Sequence, residues 1–137
     1  MNARDAIKVG LNMADFVGKG YLADLTDAEL LHRPAKGANH INWQLGHLIV
    51  SEHEIIESVA PGSMAALPAG FAAKYTKETA SVDDPAKLLT KDELLKIHDA
   101  QRAATLAALA KITDADLDKE SPEAIRPYAP DWANAFS

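Results

Sequence analysis

The stretch from residue 40 to 60, HINWQLGHLIVSEHEIIESVA, limits the fold more than any other part of the chain. On a helix at about 100° per residue, Ile41, Leu45, Leu48, Ile49, Ile55, Ile56 and Val59 form one apolar stripe, with Glu52 among them. Trp43, His47, Val50 and Glu54 line the opposite side. A helix with two sides worth burying belongs in the middle of a bundle. Asn39 is the expected N-cap and Pro61-Gly62 the stop. The side bearing Trp43 and His47 is therefore expected to point inward, toward a space that a further helix would close.

The remainder reads as helix too. Val, Ile and Thr rarely alternate with polar residues, so strand signals are nearly absent and the fold class is all-α. A first helix is expected from Ala3 to about Asp24, with Ile7, Met13, Ala14, Phe16, Val17 and Tyr21 on its apolar side and Gly10, Gly18 and Gly20 loosening it. Thr26 and Glu29 fit a capping box that opens a short turn through Leu31, which Pro34 and Gly37 end. About 28 residues follow Pro61, too many for a simple connection and expected to order against the bundle. Thr90 and Glu93 repeat the capping box and open a helix to about Lys111, with Leu94, Ile97, Gln101, Ala108, Leu109 and Ile112 inside. The tail, SPEAIRPYAPDWANAFS, is broken by prolines, and a last helix has little room to begin near Asp131. Leu25-Thr-Asp-Ala-Glu-Leu30 recurs as Ile112-Thr-Asp-Ala-Asp-Leu117, which either a duplication or the demands of helix capping would produce.

Length and charge narrow the function classes. At 137 residues the chain is expected to be one domain. It has no cysteine, so a metal would have to be held by His, Asp or Glu. The net charge of −6, with Lys and Arg scattered, argues against nucleic acid. No run approaches the roughly 20 apolar residues of a membrane span, and the N-terminus does not read as a signal peptide. A cytoplasmic, non-membrane protein is expected.

His47 is the one candidate for chemistry. It reads either as a core or boundary histidine with its ring nitrogens satisfied, or as a ligand to a divalent metal. A metal site needs three or four ligands, and Glu54 lies about two turns away, too far to share the ion directly. His53 lies four residues before Glu57, a spacing that can clip a metal but more often makes a solvated pair. His98 shares a face with Leu94, Gln101, Thr105 and Leu109, so a buried, hydrogen-bonded role is expected. His32 and His40 are explained by capping and exposure. HExxH, Ser-His-Asp and Gly-rich phosphate motifs are absent.

The segment NHINWQLGHLIVSEHE, preceded by LTDAELLHRPAKGANH, resembles the DinB-like superfamily of the YfiT type. The later LPAGFAAKY, LTKDELLKIHDAQRAATLAAL and ITDADL segments follow that family's order. The resemblance implies an up-down-down-up four-helix bundle spanning 1–137. It implies a zinc or nickel ion on three histidines, of which His47 matches the first; an enzyme built on that ion would use Glu54 as an outer partner to an imidazole. The other two form an HxxxH pair on the fourth helix. Residues 121–137 contain no histidine and leave little room for a fourth helix, so either the chain is a shortened version of a longer protein or it has lost the site; the fourth helix is expected to be largely missing and the metal absent or weakly held. The implied activities are metal-dependent thiol transfer or a hydrolase-like reaction on an unidentified small-molecule substrate. The competing expectation is a non-catalytic bundle acting through self-association, as a homodimer, or through a partner.

Overall fold

A computed structural model describes all 137 residues. The chain runs α1 (Ala3–Leu22), α2 (Ile41–Val59), a single-turn α3 (Phe71–Lys74), α4 (Lys91–Lys111) and a short α5 (Trp132–Phe136), with 3-10 turns between them and no strands. Three of the helices, α1, α4 and α5, begin where short polar side chains take up free backbone N–H groups. Asn2 and Asp5 close a capping box on α1, and Thr90 and Glu93 close the expected one on α4. Thr26 and Glu29 exchange the same pair of hydrogen bonds, as do Thr113 and Asp116. Both halves of the sequence repeat thus fold as one capped 3-10 turn, each burying its closing leucine, Leu30 or Leu117.

These caps make the helix ends acid-sensitive. The Thr26 backbone and side chain hold the Glu29 carboxyl below its ordinary value of 4.5. Gly62 and Met64 N–H groups do the same for Glu57, Arg4 for Asp114 and the Asn134 N–H for Asp131. A carboxyl whose folded pKa is depressed stabilises the fold above its unfolded pKa and loses that contribution as pH falls through the folded one. Helix content followed by circular dichroism should therefore hold down to about pH 4.5 and decline below about pH 4. A helix signal flat to about pH 2 would contradict this.

The N-cap of α2 is His40 rather than Asn39. Its Nδ1 accepts from the Trp43 N–H at 3.0 Å, and its Nε2–H donates to the Val82 carbonyl at 2.7 Å. The capping role expected of His40 holds and its expected exposure does not, because the ring is completely buried where the long connection crosses the start of α2. His40 thereby ties the two together.

That connection supplies much of the packing. Phe71, Tyr75 and Leu88 join Trp43, Ile49, Val50 and Leu94 in one apolar cluster. The Tyr75 hydroxyl donates to Asn42 Oδ1 at 3.1 Å and accepts from the Leu89 N–H at 2.9 Å. A second cluster joins Ile56, Val59 and Met64 to Ala108 and Leu109 of α4 and to Leu117, Ile125, Ala129 and Phe136 beyond it. The Pro-broken tail is held by the Ser121 N–H on Pro130 and the Trp132 N–H on Lys119, which brings α5 against α2.

The inward side of α2 bears Trp43 and Val50, as expected, together with Gly46, whereas His47 is half-buried and Glu54 exposed, and residues 71–89 cover this side rather than an open space. The open space lies on the other side. Leu48, expected in the main stripe, is largely exposed at the rim of a cleft between α1, α2 and α4.

α1 departs furthest from its periodicity. Among its residues only Leu22 is fully buried. Ile7 and Leu11 turn in part toward the body, whereas Val9, Met13, Phe16, Val17 and Tyr21 face outward. The charged Arg4 and Asp15 point inward instead, where Asp114 and Arg102 meet them.

Candidate functional site

His47 is half-buried on α2, one turn past Trp43. Its ring stacks on the Trp43 ring with centroids 4.6 Å apart and planes 8° from parallel. Its Nδ1 lies 3.4 Å from the Tyr75 carbonyl, a long hydrogen bond at best. The Trp43 Nε1–H donates to the Thr76 carbonyl at 2.9 Å, so both rings rest on the same turn of chain. Gly46 explains why that turn can come so close. A Cβ at this position would clash with three carbons of the Tyr75 ring, which packs directly on the helix backbone there. The expectation that Glu54 partners the His47 imidazole finds no support, since Glu54 is exposed and no hydrogen bond joins the two.

A divalent metal needs several donors converging on one point. No group of three or more His, Cys, Asp or Glu side chains is arranged to hold one. His47 contributes one imidazole, and the groups around it are an indole, a phenol ring and backbone carbonyls. The residues present do not fit the three-histidine metal that the family resemblance implies.

The other histidines serve structure. His53 Nδ1 meets the Gln101 Oε1 at 2.9 Å, and Gln101, almost fully buried, donates its Nε2–H to the Ala65 carbonyl at 2.7 Å. His53 is thus bound across to α4 instead of forming a simple pair with Glu57, whose carboxylate receives the N–H groups of Gly62 and Met64. His98 lies beside carboxylates, with Nε2 3.5 Å from Asp15 and Nδ1 3.3 Å from Asp99. The ring is hydrogen-bonded, as its helix face implies, but only partly buried.

The polar centre that the sequence does not announce is built around Arg102. Its Nε and Nη2 grip both oxygens of Glu52 at 3.0 and 3.1 Å. Its Nη1 donates to Asp15 Oδ1 at 2.9 Å and to the Leu11 carbonyl at 3.2 Å. The Thr105 hydroxyl donates to Glu52 Oε1 at 2.6 Å. Glu52, Arg102 and Thr105 form the floor of a cleft of about 290 Å³, between walls that include Leu11, Leu45, Leu48 and Ile55. One signal for this network is visible in the sequence: Glu52 stands inside an apolar stripe, where a carboxylate needs a cation. Which cation cannot be read there, because Arg102 is fifty residues away.

Taken together, three long helices, capped 3-10 turns and an ordered connection folded over the Trp43 side of α2 define an all-α bundle. A family model for the DinB superfamily matches residues 19–135, and the chain belongs to that superfamily. The match begins near the end of α1, so most of that helix lies ahead of it. No curated protein and no solved structure matches the chain. No helix is long and apolar enough to cross a membrane.

Proposed function

We propose that this chain acts by non-covalent association, with the outer face of α1 pairing with a second copy to form a homodimer. The observation that carries the reading is the arc of α1 from Ala6 to Tyr21. Along one face of this exposed arc stand Ala6, Val9, Gly10, Met13, Phe16, Val17, Gly20 and Tyr21, none of them charged, with the exposed Lys8, Asn12 and Lys19 along one flank. Ala6, Val9, Met13, Phe16 and Gly20 alternate in spacings of three and four, the seam along which two helices pack. Phe16 and Tyr21 are each 77% exposed and Met13 58%.

An isolated domain gains nothing from this inverted arrangement, which leaves aromatic rings in water and turns ionic groups inward. With aromatic side chains covering about 150–250 Å² each, the exposed apolar face comes to roughly 600 Å² per copy. Two such faces would bury about 1,200 Å² together, the lower end of a specific interface. Gly10 and Gly20 have open space around them, so a partner backbone can approach closely.

The competing reading, thiol transfer or hydrolysis through zinc or nickel at His47, needs two further ligands that no nearby side chain supplies. Sedimentation of the purified chain should give a dimer that dissociates on dilution. Phe16→Glu should sediment as a monomer with unchanged helix content, because a buried carboxylate in the seam costs more than the seam gains. A wild-type chain that stays monomeric at high concentration would sink the association reading. Stoichiometric zinc binding that disappears in His47→Ala would restore the metal reading.

A further inference from the structure

We infer that α1 is a detachable arm, fastened to the rest of the molecule by charge and released when that charge is screened. The inference stands on how α1 is held, and it does not depend on whether the outer face pairs with a second copy.

Apolar burial holds α2 and α4 to each other, through residues of both core clusters. α1 contributes no residue to either cluster, and only Ile7 packs against one of them. Its attachment is instead a row of polar contacts. Near its start, Arg4 Nε meets Asp114 at 2.7 Å, and Arg4 Nη1 donates to the Ile112 carbonyl at 2.6 Å. Midway, Asp15 accepts from Arg102 at 2.9 Å. Toward its end, Lys19 meets Asp99 at 2.7 Å, and Lys91 Nζ caps the Leu22 and Leu25 carbonyls.

The two modes of attachment respond oppositely to salt. Charge pairs with partial solvent contact weaken as the Debye length falls from about 10 Å at 0.1 M to about 3 Å at 1 M. Apolar burial does not weaken with salt in this way, and salting-out ions strengthen it. The Lys19–Asp99 pair is about half exposed on both sides and the Arg4–Asp114 pair about a third, so both are open to screening. Asp15 and Arg102 are more sheltered and form the last latch.

Release has a structural consequence. Leu11 forms one wall of the cleft over Glu52 and Arg102, and the remaining walls are Leu45, Leu48 and Ile55 of α2 and the end of α5. When α1 lifts away, the cleft becomes an open face of α2 and α4. Release therefore removes the one wall residue that α1 gives the cleft, Leu11, and widens the approach to the charged floor.

Hydrogen exchange read by mass spectrometry tests this on the full chain, in the Phe16→Glu variant so that pairing between copies does not protect α1. At 0.1 M sodium chloride, amides of α1 should exchange about tenfold or more faster than those of α2 and α4. At 1 M, exchange in α1 should quicken several-fold further while α2 and α4 keep their rates. Lys19→Met removes only an exposed pair and should reproduce part of the salt effect at low salt. Exchange of all three helices at one common rate, or α1 rates indifferent to salt, would overturn the arm. If Phe16→Glu fails to fold, the same salt series on wild type at high dilution supports or overturns the arm on the same two criteria. Dimerisation is read separately by sedimentation, so the arm and the pairing can fail independently.

Discussion

Gly46→Ala lowers stability by about 3 kcal/mol or more, toward the upper end of what overpacking a buried contact costs. The reason is geometric. Tyr75 is almost fully buried and its hydroxyl is held at both sides, by Asn42 and by the Leu89 N–H. The ring cannot swing aside to admit a methyl group without giving up both hydrogen bonds. The helix cannot retreat either, since Trp43, one turn back, is pinned to Thr76. Urea denaturation of Gly46→Ala against wild type measures the loss. A change under about 1 kcal/mol would mean that the Tyr75 ring does not rest on the α2 backbone. Pairing Gly46→Ala with Tyr75→Leu removes the clash along with the ring, so the two changes should cost less together than their sum.

The second large effect is at Arg102. Arg102→Met leaves Glu52 and Asp15 without their cation, in surroundings where the three side chains are only 15–19% exposed. Stranding a fully buried carboxylate costs about 3–5 kcal/mol, and the remaining solvent contact brings the expectation to about 2–3 kcal/mol. The sign of a second substitution separates charge from shape. Arg102→Met with Glu52→Gln neutralises one stranded carboxylate, so the double variant should be more stable than Arg102→Met alone. Equal stability of the two would show that Arg102 works through its aliphatic stem and not through its charge.

Much of the secondary structure can be read from local pattern. The capping box at Thr90 and Glu93 predicts α4 to about Lys111, and the helix spans Lys91–Lys111, because the signal that starts it is carried by its own residues. The six-residue repeat becomes two alike capped turns for the same reason. The N-cap of α2 falls one residue beyond the expected Asn39, since a histidine ring can accept a backbone N–H as an asparagine side chain does. The candidate site is legible only as single residues. His47 stands out by type and by its Trp neighbour, but its surroundings come from residues 75 and 76, and no local pattern announces that a tyrosine will lie on Gly46.

By itself the sequence determined that the chain is all-α and, to within a residue or two, where its three long helices begin and end, because caps, breakers and periodicity act over a few residues. The tertiary structure alone decided which way each helix turns its faces. α2 turns Trp43 toward the connection and Leu48 toward the cleft. α1, whose own pattern asks for its apolar side to be buried, turns that side outward. Orientation is set by what the other elements offer. Arg102, Asp114 and Asp99 on and beyond α4 provide counter-charges for Asp15, Arg4 and Lys19, so the charged flank of α1 docks and its apolar arc is left facing away from the body.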